Sequence, residues 1–280
     1  MERIVIGYDG SPAADSALEW VVDRAHRHPA RVDVIGVANP FAADKRAIRE
    51  RLEKAEELLR VRIPGLPVES HQLDGLMPAA FIDAAFDADL IVMGIERNRP
   101  IRAALHGWMP QRAAARTRSP LCLVPTGWTA TAGPVVVGVD VDSSSAAIDF
   151  AAGEADEQRS SLRMAHVWPP AAGPAERDHS GSVATRTHTL HEQVLEAAAR
   201  RIRTAFPRLR VETALVRHED PGTAMLFAAA DESPALVVLG THRRGVLAGA
   251  FLGSVTQTLL WESQVAVVVV PDPERLDPRW

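Results

Sequence analysis

The sequence repeats itself, and this internal repeat constrains the fold more than any other feature. Equivalent residues lie 131 positions apart at Asp9 and Asp140, and 146 positions apart at Gly94 and Gly240. A duplicated unit with about 15 extra residues inside its second copy explains both spacings. We call the two units copy one and copy two. The matching segments are Ile4–Ser11 with Val135–Asp142, Asp89–Gly94 with Ala235–Gly240, and Pro120–Pro125 with Ala266–Pro271.

The length of the chain agrees with two units. At roughly 100–200 residues per domain, 280 residues allow two domains or one large one, and the repeat favours two. Between the copies lies TGWTATAGP at Thr126–Pro134, whose composition is typical of a linker. We therefore predict domains at 1–127 and 133–273.

Each copy alternates short β-branched runs with longer helical patterns. Runs such as IVIG and VVVGV are apolar on both faces, which is typical of parallel strands covered by helices on both sides. The pattern predicts an α/β doubly wound fold with five strands per copy. The predicted strands are Arg3–Tyr8, Val32–Val37, Val68–Gln72, Leu90–Gly94 and Leu121–Val124, then Val135–Val139, Leu162–Trp168, Val211–Val216, Leu236–Gly240 and Val265–Val270.

Two long segments have the apolar stripe of an amphipathic helix. They are Ala43–Arg62 and Thr189–Ala205, and we interpret the charges on their other faces as solvated surface. The extra residues of copy two, Pro169–Thr185, are rich in Pro, Gly, Ala and Ser, and we expect a mobile loop there.

Polar and glycine residues end the first and fourth predicted strands of both copies. In open α/β sheets, ligands bind beyond the carboxyl ends of the strands where the strand order reverses. If the order is 3-2-1-4-5, Asp9 and Gly94 share one such crevice, and Asp140 and Gly240 share its repeat. An aspartate at a strand end is also a common helix cap, and both interpretations remain open.

A glycine-rich loop follows Gly240. Gly253 and Ser254 open a helical pattern, and free amides at a helix start together with the hydroxyls of Ser254 and Thr256 suit a phosphate. His242, Arg243 and Arg244 carry or can carry positive charge. A glycine hinge followed by an ordinary serine-capped helix explains the spacing equally well.

Several functional classes are excluded or disfavoured. The chain has no GxxxxGK[ST] loop, no GxGxxG after the first strand and no GxSxG elbow. The net charge of −5 disfavours nucleic acid and anionic membranes as partners, and we expect a cytoplasmic protein because no run is long enough to span a bilayer.

The single Cys122 is expected to be a buried, inert thiol. For His179, His188 and His191, solvated side chains are a stronger interpretation than a metal site.

Together these residues resemble a tandem universal stress protein. The resemblance covers both copies and rests on GYDGS and GVDVDS around Asp9 and Asp140, the loop motif G-x2-G-x9-G-[ST], and closing strands that end at Pro125 and Pro271. It implies two Rossmann-like domains, each with a five-stranded parallel sheet of order 3-2-1-4-5, related by pseudo-twofold symmetry. One class of the family binds ATP in this crevice, with or without Mg²⁺, and others lack nucleotide.

The resemblance assigns roles in copy two residue by residue. Asp140 would lie near the ribose and adenine, Val139 would line the base, and the backbone of Val167 would hydrogen-bond adenine. Gly240 would approach the phosphates. The full predicted set is Val139, Asp140, Val167, Gly240, His242, Arg243, Gly253, Ser254, Val255 and Thr256, with no catalytic and no metal residue.

Copy one departs from the motif. Trp108 replaces the phosphate-binding serine, and Pro110 lacks the N–H that a helix start would offer. We predict a weaker site or none, built on Asp9, Val37, Gly94 and Gly107. Arg97 and Arg243 both stand where the second glycine of the motif belongs, and whether they block or assist phosphate is open.

Three functions compete at this point. The leading one is a nucleotide-linked stress-response regulator that binds ATP mainly in copy two. The alternatives are a nucleotide-free protein-interaction module and a slow ATPase, for which His242 is the only nearby base.

The apolar last strands are expected to pair domain to domain within the chain, unless the tail Asp272–Trp280 shields that edge. A homodimer is a further possibility that the sequence leaves open.

Overall fold

The computed structural model describes residues 1–39, 45–96, 117–140, 145–168, 182–220, 224–225, 233–240, 258–259 and 262–272. In copy one the strands and helices alternate from the first residues. They are β1 (Glu2–Gly7), α1 (Pro12–Arg27), β2 (Ala30–Ala38), α2 (Lys45–Arg62), β3 (Val68–Asp74), α3 (Ala79–Ala84), β4 (Leu90–Ile95) and β5 (Leu121–Pro125).

Copy two repeats this alternation. Its described elements are β6 (Val135–Gly138), α4 (Ser145–Glu157), β7 (Leu162–Trp168), α5 (Ser182–Ala205), β8 (Val211–Arg217), β9 (Leu236–Gly240) and β10 (Val267–Val270). All ten predicted strands are present, which confirms the α/β fold class.

The strands form one sheet of ten, in the order β3-β2-β1-β4-β5-β10-β9-β6-β7-β8. Within each copy this is the predicted order 3-2-1-4-5, and every strand pair inside a copy is parallel. The two halves join where β5 and β10 pair antiparallel, with Cys122 opposite Val268. The predicted pairing of the last strands within the chain is therefore present.

This pairing decides between the two alternatives for the last strand, which were pairing between the copies and shielding by the tail. β10 is bonded to β9 on one side and to β5 on the other, so its edge needs no shielding by the tail. The outer edges are instead β3 and β8, whose sequences VESHQLD and VETALVR carry charged side chains. Charges on edge strands oppose pairing with further strands.

Helices cover both faces of the sheet, as the strand composition predicts. Along β1, Ile4 and Ile6 belong to one buried cluster and Val5 to the other, because successive side chains point to opposite faces. Each cluster contains residues of both copies, so both hydrophobic layers continue across the central strands. Cys122 is fully buried as predicted, and burial raises the pKa of its thiol well above the usual value.

One predicted boundary is wrong. Helix α5 begins at Ser182, whereas the sequence suggests a loop as far as Thr185 and a helix only from Thr189. Among residues 182–188 only Val183 and Ala184 are apolar, so the periodic pattern that predicts a helix begins too late. The rest of the predicted loop, residues 169–181, lies outside the described residues.

A buried ion-pair network joins the two copies beside the sheet. The Nη1 atom of Arg24 in α1 donates to Oε1 of Glu154 in α4 at 2.6 Å, and both side chains are almost fully buried. Arg24 also donates from Nε and Nη2 to the two carboxylate oxygens of Glu2, at 2.9 and 2.8 Å. His28 lies 2.7 Å from Glu157 in the same network. His28, Glu154 and Glu157 have the donor atoms of a metal site, but Arg24 already supplies the positive charge there.

Candidate functional site

The predicted crevice lies where the strand order reverses in copy two. Strand β6 pairs with β9 in parallel, with Val137 beside Val238. Continuing that register places Val139 beside Gly240, with Asp140 one residue further on. Val139 is buried and its N–H donates to the carbonyl of Ala165 at 2.8 Å, whereas Asp140 is exposed. The fold thus brings Val139, Asp140 and Gly240 to one edge of the sheet.

A pair of histidines holds the end of strand β6. His166, in β7, is 1% exposed, and its Nδ1 lies 2.5 Å from the carbonyl oxygen of Val139. Its Nε2 lies 2.6 Å from Nδ1 of His191, which α5 contributes. Hydrogen bonds therefore link the backbone of Val139, the predicted base-lining residue, through His166 to His191 on α5.

The partners determine where the protons lie in this pair. A carbonyl oxygen only accepts, so Nδ1 of His166 carries a hydrogen and donates it to Val139. In the neutral pair Nε2 of His166 must then accept from Nδ1 of His191, which leaves Nε2 of His191 as an acceptor. Burial, followed by the charge of His166, lowers the pKa of His191, while Asp140 acts in the opposite direction.

Trp168 completes this group of rings at the end of β7. Its indole stacks on His191 with centroids 4.8 Å apart, and the guanidinium carbon of Arg217 lies 5.0 Å from the indole centroid. The ring centroid of His188 lies 6.1 Å from that of the same indole. Trp168 is 5% exposed, and its Nε1 has no hydrogen-bond partner among the described residues. A buried donor without a partner can receive an acceptor atom of a ligand.

The histidine pair exists in copy two alone among the described residues of the two copies. Gly36 occupies the position of His166, because each lies four residues beyond the strand partner of Ile4 or Val135. A Cβ at Gly36 would lie only 3.0 Å from Ile48 and 3.1 Å from Leu52 of α2. A histidine at position 36 would therefore have to displace Ile48 and Leu52, so copy one lacks the counterpart of the His166 contact.

The corresponding strand end of copy one is occupied by its own side chains. The Oδ1 of Asp9 accepts from the N–H of Ser11 at 2.9 Å, so this carboxylate closes the turn into α1. Tyr8 donates its hydroxyl to Asp15 at 2.7 Å, and burial together with this bond raises the Tyr8 pKa. Arg51 crosses from α2 and donates to the carbonyl of Asp9 at 3.2 Å. Asp9 thus holds the turn before α1, while the cap of that helix is Ser11, whose Oγ accepts from the N–H of Ala14 at 3.2 Å.

Gly94, the second strand-end residue of copy one, has a packing role. A Cβ there would overlap the backbone carbonyl of Ala13 at the start of α1, which no side-chain movement relieves. At Gly240 the same atom would lie 3.4 Å from Ala147, measured against the described residues. Glycine at position 94 is therefore required for helix-to-strand contact, whether or not a ligand binds. Val37, also named for this weaker site, is half-buried against the second core cluster.

The loop residues named from the sequence lie outside the described part of the chain. They are Arg97, Gly107, Trp108 and Pro110 in copy one, and His242, Arg243, Arg244, Gly253, Ser254, Val255 and Thr256 in copy two, together with His179. Val167 is described and half-buried, and it packs against the second hydrophobic cluster.

Sequence reasoning missed the histidine and indole group. It treated His191 as solvated, which is wrong because His191 is partly buried between His166 and Trp168. His188 is exposed as expected. The available signal was the strand LRMAHVW, which places a histidine inside a buried run and a tryptophan at its end.

Among the residues that the structure describes, no helix combines the length and apolar character needed to cross a bilayer. The comparisons with known proteins agree with the fold and with the repeat. The model of the Universal stress protein family matches the chain twice, at residues 1–125 and 132–271.

Relatives of similar length match nearly the whole chain. Universal stress protein Rv1996 of Mycobacterium tuberculosis is 24% identical, covering 97% of this chain and 95% of its own. Rv2623 of the same organism is also 24% identical, covering 95% of each. The crystal structure of a universal stress protein from Archaeoglobus fulgidus superposes with a TM-score of 0.69 at 19% identity, covering 96% of this chain and 98% of that one. Since the family model accounts for nearly all of both copies, the protein belongs to the Universal stress protein family, with two such units in one chain.

Proposed function

We propose that this protein binds one ATP, with or without Mg²⁺, at the carboxyl edge of copy two, and acts as a cytoplasmic, nucleotide-linked regulator of the stress response. The observation that carries the proposal is the meeting of Val139, Asp140 and Gly240 at the ends of neighbouring strands where the strand order reverses. This is the position at which doubly wound sheets bind their ligands.

The histidine pair supports the same assignment. Because His166 is bonded both to Val139 and to His191, the backbone beside Asp140 is held by a buried side chain. A preorganised edge loses less conformational entropy when a ligand binds. The buried Nε1 of Trp168 offers a donor for an acceptor atom near the proposed base position.

Copy one has the opposite character, and we propose that it binds nucleotide weakly or not at all. The side chains of Asp9 and Tyr8 are engaged within copy one, and Arg51 crosses the end of β1. We accordingly propose residues 133–273 as the binding domain and 1–127 as the degenerate one. The phosphate-binding roles of Gly253, Ser254, Val255 and Thr256, and the charges of His242 and Arg243, rest on the sequence motif.

The test is isothermal titration with ATP, using variants matched between the copies. Wild type is expected to bind one ATP per chain. Asp140→Asn should weaken this binding, whereas Asp9→Asn should leave it unchanged. Ser254→Trp gives copy two the residue that copy one carries at position 108, and this variant should lose ATP binding altogether.

Two outcomes would overturn the proposal. Absence of ATP binding by the wild type, with no nucleotide in the purified protein, would favour the nucleotide-free interaction module. Equal losses of ATP affinity in Asp9→Asn and Asp140→Asn would contradict the proposed difference between the copies.

We also propose that the protein does not hydrolyse ATP. If the wild type released phosphate from ATP and His242→Ala abolished that release, this proposal would be refuted.

A further inference from the structure

A cavity of about 290 Å³ lies between the two copies, at the end of the sheet opposite the proposed nucleotide site. Its lining comes from α1, from the linker, from the end of α4 and from the start of β9. Gly133, Ser160 and Ala235 all line it, and each lies just before the amino end of a strand. The cavity is therefore separate from the carboxyl ends where Asp140 and Gly240 lie.

Two tryptophans line this cavity, one from copy one and one from the linker. Trp20 of α1 is 3% exposed, and the guanidinium carbon of Arg24 lies 5.5 Å from the centroid of its ring. Trp128 belongs to the linker and is half-buried against the first hydrophobic cluster. Indole rings offer flat apolar surface that suits a planar ligand. The volume of about 290 Å³ is just below the roughly 300–1,000 Å³ of ordinary ligand sites, so the cavity fits one or two fused rings and not a nucleoside triphosphate.

The charges on the lining sum to one positive charge. Arg27 and Asp23 form an ion pair at 2.6 Å and neutralise each other, while Nη1 of Arg27 is buried without a hydrogen-bond partner among the described residues. Arg159 is exposed, and none of the described residues forms an ion pair with its guanidinium. A site with one uncompensated guanidinium favours a ligand with one negative charge.

The backbone at Arg159 places this cation at the cavity. Arg159 has a φ of 53°, in the left-handed region, and the N–H of Ser160 donates to the carbonyl of Ala155 at 2.9 Å to close the end of α4. Glycine is the residue that ordinarily occupies such a helix end, because an L side chain is strained there. Arginine at this position therefore carries backbone strain, and strained residues cluster at functional sites.

We infer that the cavity between the copies binds a small planar aromatic monoanion, with its ring against Trp20 and Trp128 and its charge on Arg159. The ligand would contact both copies and the linker, so its binding would also hold the two halves together. This inference does not depend on ATP binding, because the two sites lie at opposite ends of the strands.

The chain offers a matched pair of variants. Arg159→Gly removes the cation and relieves the left-handed strain, so the fold is not weakened by the change. Ser233→Gly is the control, because Ser233 is the other described non-glycine residue with a positive φ, at 46°. The probes are 2-naphthoate and its neutral amide, 2-naphthamide, which have the same shape and differ in charge.

Isothermal titration should show one 2-naphthoate bound per chain, with 2-naphthamide about tenfold weaker because it lacks the charge-assisted bond. Arg159→Gly should bind the two probes equally, whereas Ser233→Gly should retain the difference. Saturating ATP should leave the affinity for 2-naphthoate unchanged. Equal binding of the two probes by wild type, no binding, unchanged discrimination in Arg159→Gly, or competition by ATP would each overturn the inference.

Discussion

Replacing Arg24 by methionine should destabilise the protein far more than loss of an ordinary ion pair. Arg24 and Glu154 have side chains that are 4% and 3% exposed, so removing the arginine leaves a carboxylate buried without its cation. Breaking a buried pair from one side costs about 3–5 kcal/mol in the free energy of unfolding. We expect a loss of this size because the neighbouring Glu2, another carboxylate, also loses its partner.

The reverse substitution should cost less, and this asymmetry is the sharper expectation. In Glu154→Leu the guanidinium of Arg24 keeps both bonds to Glu2, so the remaining charges balance. Loss of one hydrogen bond between charged groups should cost about 1.5 kcal/mol. The double variant Arg24→Met with Glu154→Leu should recover the part of the loss that comes from the unpaired Glu154, because apolar replacements of a buried pair are often neutral. It should stay below wild type, because Glu2 still loses its bonds to Arg24.

Urea unfolding followed by circular dichroism measures these differences. The control is Arg201→Met, which breaks the pair between Arg201 and Asp149 at the same 2.6 Å distance but with side chains 43% and 46% exposed. That change should cost less than about 1 kcal/mol, because exposed pairs contribute little. The reasoning would be refuted if Arg24→Met cost no more than Arg201→Met, or if the double variant were as unstable as Arg24→Met alone.

Four other substitutions or measurements test separate contacts. Gly94→Ala should lower the urea midpoint sharply, because its Cβ overlaps the Ala13 carbonyl, and an unchanged midpoint would contradict this packing. Gly153→Ala, inside α4 with no described atom within 4 Å of its Cβ, should raise stability by about 0.5–1 kcal/mol. Cys122 should react with a thiol reagent only after unfolding, since burial raises its pKa; rapid labelling of the native protein would disprove this. The lowered pKa of His191 means that the folded state resists protonation, so wild type should lose stability as pH falls below about 6.5. His191→Gln should lack that part of the pH dependence, and parallel pH curves for the two proteins would show that the coupling is absent.

The sequence predicts the elements well because their signals are local. Strands such as β1 and β6 are short β-branched runs, and amphipathic patterns identify α2 and α5. The start of α5 was misplaced because residues 182–188 have no apolar stripe. Asp140 and Gly240 could be named as neighbours only because the repeat and the strand order place both at one edge.

The histidine pair could not be predicted because its members are 25 residues apart and lie in different elements. No spacing rule connects His166 in a strand to His191 in a helix, and their contact depends on how α5 packs on β7. The same holds for Arg24 and Glu154, which are separated by 130 residues and meet only because the copies pack together.

By itself, the sequence determined that this chain contains two α/β units of one family, since the repeat and the alternation of β-branched and amphipathic runs are carried by neighbouring residues. Only the tertiary structure decided that β5 and β10 join the units into one sheet of ten strands. It also decided that His166 contacts the backbone at the end of β6 in copy two. In copy one, Gly36 packs closely against α2 at the equivalent position, and Arg51 lies across the end of β1. The physical reason is that burial, ion pairing and the space available to a side chain depend on residues brought together from distant parts of the chain.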